Sequence, residues 1–151
     1  MKTIIALKGL LLIALALFTT QAFATPQKLL NNVHQLRLLS TESLTNFYMY
    51  SGLDADSKYG KKIINNLAEF EKALEATRSL PASDGILDSM DKVSSSWNEF
   101  NALILTNYND METQGFPNVR LVDEMGKSNA ILLKDLSKAY QDAQVSTGTK
   151  L

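Results

Sequence analysis

Residues 86–111 read ILDSMDKVSSSWNEFNALILTNYNDM. Ile86, Met90, Val93, Trp97, Phe100, Ile104, Tyr108 and Met111 recur every three or four positions. That spacing puts eight apolar side chains on one stripe of an α-helix, whereas a strand would need alternation. The stripe spans about seven helical turns, and polar residues occupy the opposite face. A helix of this kind is stable only when its stripe is covered, so the rest of the chain must supply partner helices.

Working outward, glycine and proline mark the breaks. They fall with serine and aspartate at Ser51-Gly52 to Ser57, at Pro81 to Gly85, and at Gly115-Phe116-Pro117. Three further segments of helical length flank these breaks. The first is expected to begin at Thr25-Pro26, a cap followed by proline at the first helical position, and to reach about Tyr50. The second runs from about Asp56 to Arg78, with Tyr59, Ile63, Leu67, Phe70 and Leu74 as its stripe. The fourth starts at Pro117 and carries Leu121 or Val122, Met125, Leu132, Leu136 and Tyr140, with Asn129 interrupting. Its polar end, Gln144 to Leu151, is expected to fray. No strand pattern competes, and short links between helices of similar length predict an all-α, up-down-up-down antiparallel four-helix bundle.

The chain opens MKTIIALKGLLLIALALFTTQAFA. Lys2 and Lys8 give a positive start, Leu10 to Phe18 a short apolar run, and Ala22-Phe23-Ala24 small residues at the positions a signal peptidase requires. Residues 1–24 therefore read as a secretory signal peptide cleaved after Ala24. The run is short for a membrane span. Polar Thr25, Pro26 and Gln27 follow at once, which favours cleavage over an uncleaved anchor. Removing 24 of 151 residues leaves 127, a single domain over 25–151. Without Lys2 and Lys8, 13 basic residues face 16 acidic ones, a net charge of −3. Nothing in that balance suits nucleic acid or an anionic membrane, and no second apolar segment predicts insertion after cleavage. There is no cysteine, which removes thiol catalysis, zinc–thiolate sites and covalent haem attachment. Export without cysteine points to the periplasm.

Chemistry is sparse. One histidine and no cysteine leave little for a nucleophile and base pair, and no phosphate loop, dinucleotide fingerprint or Gly-x-Ser-x-Gly is present. The carboxylates Glu69, Glu71, Glu75, Asp88 and Asp91 fall where a solvated helix face puts them. No enzyme, metal site or cofactor is expected. A haem or metal carrier through His34 is the remaining alternative of that kind, and methionine at helical spacing is ordinarily core filler.

One stretch of the first helix stands apart, NVHQLRLLSTESL at residues 32–44. Leu29, Val33, Leu36, Ser40 and Phe47 share a narrow arc at about 100° per residue. Arg37 sits on the flank of that arc, close to Leu44 and between the positions of Leu30 and Tyr48. His34 lies further round, and Glu42 points away. An arginine among apolar neighbours needs an anionic partner or a route to water. Three partners would serve: a carboxylate such as Glu69 or Glu124, a partner subunit, or a small anion held by the guanidinium fork.

Leu36-Arg37-Leu38-Leu39-Ser40, followed by Phe47-Tyr48-Met49-Tyr50, resembles the first helix of the periplasmic N-terminal domain of type IV pilus methyl-accepting chemotaxis transducers. It also resembles the related sensor domain of nitrate/nitrite sensor kinases. Val93 to Phe100, with its Trp-x-x-Phe segment, is similar to the third helix of that family. Ser128 to Leu133, ending near Tyr140, is similar to the fourth. The resemblance implies a non-catalytic sensory or ligand-binding bundle, with Arg37 as the anion contact and His34, Ser40, Thr41 and Tyr48 as its neighbours. In the nitrate sensors two subunits contribute this arginine at a dimer interface, which implies a homodimer here. The sequence departs from the pattern in two places. Glu42 stands where the family has a second arginine, and His34-Gln35 where a glycine is common, which puts nitrate itself in question. Family members continue into a membrane helix and a signalling module. This chain is expected to work through a membrane-bound partner instead. A structural or chaperone-like protein that binds another protein through its bundle faces is the alternative.

Overall fold

The computed structural model describes the backbone of residues 2–52, 56–146 and 148, and side-chain surroundings within those ranges from residue 26 onward. The side chains of the signal-peptide reading, Lys2 to Ala24, lie outside the described residues, as do residues 53–55 in the first link and 147 and 149–151 in the tail. Four α-helices pack into an all-α bundle: α1 Lys2–Gly52, α2 Ser57–Arg78, α3 Asp84–Gln114 and α4 Val119–Ser146. Among the described residues, no helix is long and apolar enough to cross a membrane.

Local chemistry accounts for most helix ends. Asp56 caps α2, its carboxylate accepting from the Lys58 amide at 2.9 Å. Ser83 precedes α3 without a side-chain cap bond, and Asp84 puts a carboxylate in the first turn, where the helix dipole favours it. α3 stops at Gly115, whose φ of 80° is left-handed backbone suited to glycine, and whose N–H donates to the Met111 carbonyl at 3.0 Å. α4 starts two residues after Pro117, because Asn118 takes the capping role, accepting from the Arg120 amide at 3.1 Å.

Two expected boundaries differ. α1 does not begin at Pro26 but passes through it. The preceding residues are rich in leucine and alanine, strong helix formers, and the backbone continues with the loss of one i→i−4 hydrogen bond. At the other end, α4 stays helical to Ser146 rather than fraying from Gln144. Ala139 and Ala143 are buried there and tie its last turns to the core.

The core follows the apolar stripes. Leu29, Val33, Leu36 and Phe47 from α1 meet Ile63, Leu67, Phe70 and Leu74 from α2. From α3 come Ile86, Met90, Val93, Trp97, Phe100, Ile104 and Met111, and from α4 Met125, Leu132 and Leu136. Tyr59, Tyr108, Val122 and Tyr140 are half-buried at the margins. The Phe70 and Trp97 rings stack with centroids 3.7 Å apart and planes 12° apart, joining α2 to α3. Gly60 on α2 permits a close approach. A Cβ there would lie 3.2 Å from Tyr108 and 3.3 Å from Tyr50.

Buried polar side chains fasten the helices at set heights. The Ser40 hydroxyl donates to Asn129 Oδ1, so the residue that interrupts the α4 stripe is the partner of the one polar residue in the α1 arc. Between α3 and α4, Ser89 donates to Asp142 and Ser96 to Asp135. Ser40→Ala leaves the Asn129 oxygen buried without a donor and should lower unfolding stability by about 1–3 kcal/mol. Adding Asn129→Leu should recover part of that loss. Denaturant titration of both single variants and the double variant measures the coupling.

Candidate functional site

The five residues singled out on α1 do not converge on one point. His34, Arg37, Thr41 and Tyr48 are all exposed on the outer part of the helix. Ser40 turns the other way and is fully buried, its hydroxyl committed to Asn129 on α4. Thr41 lies one turn from Arg37, but its hydroxyl donates to the Arg37 carbonyl at 3.0 Å. Tyr48 is about 16 Å further along the helix axis than Arg37 at 1.5 Å per residue. It leans toward α4, its hydroxyl 3.3 Å from where a Cβ on Gly126 would be. Of the five, His34, three residues before Arg37, is the one other exposed residue within a helical turn whose side chain makes no hydrogen bond to the Arg37 backbone.

Arg37 reaches water along its aliphatic stem, which is how a flank position beside buried Leu30 tolerates a cation. The sequence contains three arginines. Arg78 pairs with Asp91 at 2.7 Å and Arg120 with Glu124 at 3.0 Å. Among the described residues, Arg37 has no carboxylate partner. Of the two expected, Glu124 is taken by Arg120, and Glu69 lines a shallow groove between α1 and α2 with Lys72, Asn32 and Gln35.

A second cluster lies where α1, α2 and α3 meet at the edge of the core. Tyr50 lies near the end of α1. It is 2% exposed, donates its hydroxyl to Glu112 and stacks on Tyr108 with ring centroids 5.4 Å apart. Burial raises the Tyr50 pKa above the ordinary 10.0, and the hydrogen bond to the Glu112 carboxylate and its charge raise it further. Tyr108 is raised in the same direction, first by burial and then by Glu112. On the α3–α4 seam, Asp142 is held below the ordinary carboxylate value. Burial alone would raise it, but hydrogen bonds from Lys138 and Ser89, with the charges of Lys138 and Lys92, outweigh that effect.

Among the described residues, four buried side-chain atoms have no hydrogen-bond partner: Trp97 Nε1, Asn101 Oδ1, Asn107 Oδ1 and Ser128 Oγ. Trp97 forms part of a groove of about 460 Å³ between α2 and α3. Among the described residues, no group of three or more His, Cys, Asp or Glu side chains is placed to hold a metal ion.

These shifts carry a sign. In the folded chain Tyr50 and Tyr108 keep their protons above pH 10, where the unfolded chain releases them, so stability should fall as pH rises beyond 10. Melting between about pH 9 and about pH 11 should show that decline in the wild type and a weaker one in Tyr50→Phe. Asp142 acts in the acid range. Its contribution is complete above pH 3.8 and is lost as pH falls through its lower folded value, a loss that Asp142→Asn should not show.

No known family, curated protein or solved structure matches the chain, so its site is read from its own residues.

Proposed function

We propose that this chain is exported by an N-terminal signal peptide cleaved after Ala24. In the periplasm it is a non-catalytic sensory or ligand-binding bundle that takes up a small anion at Arg37, in the manner of the pilus-transducer domains it resembles. The observation that carries the reading is the free guanidinium. Arg78 and Arg120 are neutralised by neighbouring carboxylates, while Arg37 stands exposed with none among the described residues. Its planar fork is suited to bidentate capture of an oxyanion. His34 lies less than a turn away as a second contact.

The up-down-up-down arrangement belongs to the same reading, and side-chain pairs support it by running in opposite orders along neighbouring helices. Glu42 accepts from Asn66, and Tyr50 lies beside Gly60. Phe70 stacks on Trp97, and Arg78 pairs with Asp91. Ser89 donates to Asp142, and Ser96 to Asp135. In each pair of helices, one number rises as the other falls.

A second reading is a structural or chaperone-like protein that binds another protein through its bundle faces. It takes support from Leu38 and Met49 on α1, which are 50% and 39% exposed.

Exported protein should begin Thr25-Pro26-Gln27 on N-terminal sequencing. Its melting temperature should rise by several degrees with one member of a panel of nitrate, nitrite and small carboxylates. A ligand at a hundredfold excess over its dissociation constant stabilises by about 2.7 kcal/mol. Arg37→Ala should abolish the rise without lowering the melting temperature of the unliganded protein. A panel without effect on the wild type would rule out the anion reading and leave the protein-partner reading in front.

A further inference from the structure

The outer face of α1 carries a pattern that the bundle itself does not use. Asn31, His34, Leu38, Thr41, Thr45 and Tyr48 are all exposed, and they recur at alternating intervals of three and four residues. That is the 3.5-residue repeat of the a and d positions of a coiled coil. It runs opposite the buried stripe of Leu29, Val33, Leu36, Ser40 and Phe47. None of the six is Lys, Arg, Asp or Glu, although a helix face turned only to water is ordinarily where such residues gather.

Covering this stripe strands few polar groups. Leu38 and Tyr48 offer apolar area. Thr41 donates its hydroxyl to the Arg37 carbonyl and Thr45 donates to the Thr41 carbonyl at 2.9 Å. Both hydroxyls keep their acceptors when water is excluded, so neither incurs the cost of an unpaired buried group.

Charge then selects an orientation. Arg37 lies on one flank of the stripe, at a g position, and Glu42 on the other, at an e position. Within one chain they point apart. Arg37 has no carboxylate partner among the described residues, and Glu42 accepts a long bond from Asn66 at 3.5 Å. In a parallel pair of helices, each g position faces the e position of the partner's next heptad. That places Arg37 beside the partner's Glu42, twice by symmetry. It also places half-buried Leu44 beside the partner's Met49, itself 39% exposed in the single chain. An antiparallel pair would set g against g, with Arg37 beside Leu30 or Leu44 and no anion near it.

We infer that a second copy of this chain covers the outer face of α1, in a parallel homodimer with Leu38, Thr41, Thr45 and Tyr48 at the seam and Arg37 paired with the partner's Glu42. The seam from His34 to Tyr48 is about 21 Å long at 1.5 Å per residue. Glu42 leans toward α2 and Tyr48 toward α4, so α2 of each copy comes to lie near α4 of the other and adds area to the contact. The inference goes beyond the anion reading and does not rest on it. Association is read without any of the anion panel, so either can fail alone.

The whole exported protein is followed by sedimentation velocity over a range of concentrations and should convert reversibly from monomer to dimer. Arg37→Glu alone and Glu42→Arg alone should each raise the dissociation constant about tenfold, because both symmetric pairs turn repulsive. The swap Arg37→Glu/Glu42→Arg should restore the wild-type value. Orientation is read by disulfide trapping, since the chain has no cysteine of its own. In a parallel, in-register pair, Leu38→Cys brings two thiols face to face within the short reach of a disulfide. Mild oxidation should trap that dimer, and should not trap Ile131→Cys, which is similarly exposed on α4. Circular dichroism should show the same helical fold in every variant, because all the altered side chains are exposed. A monomer at all concentrations, a swap that fails to restore association, or a dimer that Leu38→Cys does not trap would each overturn the inference.

Discussion

The stacked pair of Phe70 and Trp97 sets the cross-section of this bundle. Interhelical distance follows the size of the side chains at the contact. An indole and a phenyl ring, with Leu74 beside them, occupy the seam between α2 and α3 and hold these helices apart. The opposite choice is made elsewhere. Ser89, Ser96, Ala139 and Ala143 let α3 and α4 approach closely, and Gly60 does the same where α2 meets the tyrosines of α1 and α3. The bundle therefore has a wide seam, with an open groove beside Trp97. Removing the Trp97 side chain would forfeit about 3–5 kcal/mol of packing and the spacing with it.

Apolar stripes of this length leave a bundle under-determined, because helices can slide by a turn and still bury leucine against leucine. Buried polar groups oppose such slippage. In a shifted register, Ser40 and Asn129, or Ser96 and Asp135, would be stranded without partners, at about 1–3 kcal/mol for each stranded group. Each bond contributes modestly to stability on its own. The penalty for the alternatives is what they add, and single polar pairs fix register in coiled coils by the same logic.

The stripes of α2, α3 and α4 were legible because a 3.6-residue period is a property of one chain segment, punctuated here by proline and glycine. The expected stripe residues of α3 are all in the core except Tyr108, which is half-buried at its edge. What was not legible depends on two helices at once. Asn129 read as an interruption and Ser40 as a neighbour of Arg37, and only the packing of α1 on α4 reveals them as one hydrogen bond. Tyr50 and Glu112 are 62 residues apart, and no local pattern joins them. The start of α1 failed for a different reason, since proline at a first helical position and proline inside a helix look alike in sequence. For Arg37, a helical wheel gives the flank position, but it cannot tell whether a carboxylate on another helix reaches it.

These contrasts bear on how the bundle can hold a ligand. Arg37 projects from the exposed face of a single helix. An anion there keeps most of its hydration, and an exposed ion pair is worth only about 0–1 kcal/mol. Tight capture at Arg37 therefore requires a second surface that excludes water, either another copy of α1 or a partner protein. The exposed Leu38 and Met49 provide apolar area for such a contact. An arginine exposed on a single helix would thus link ligand binding to association.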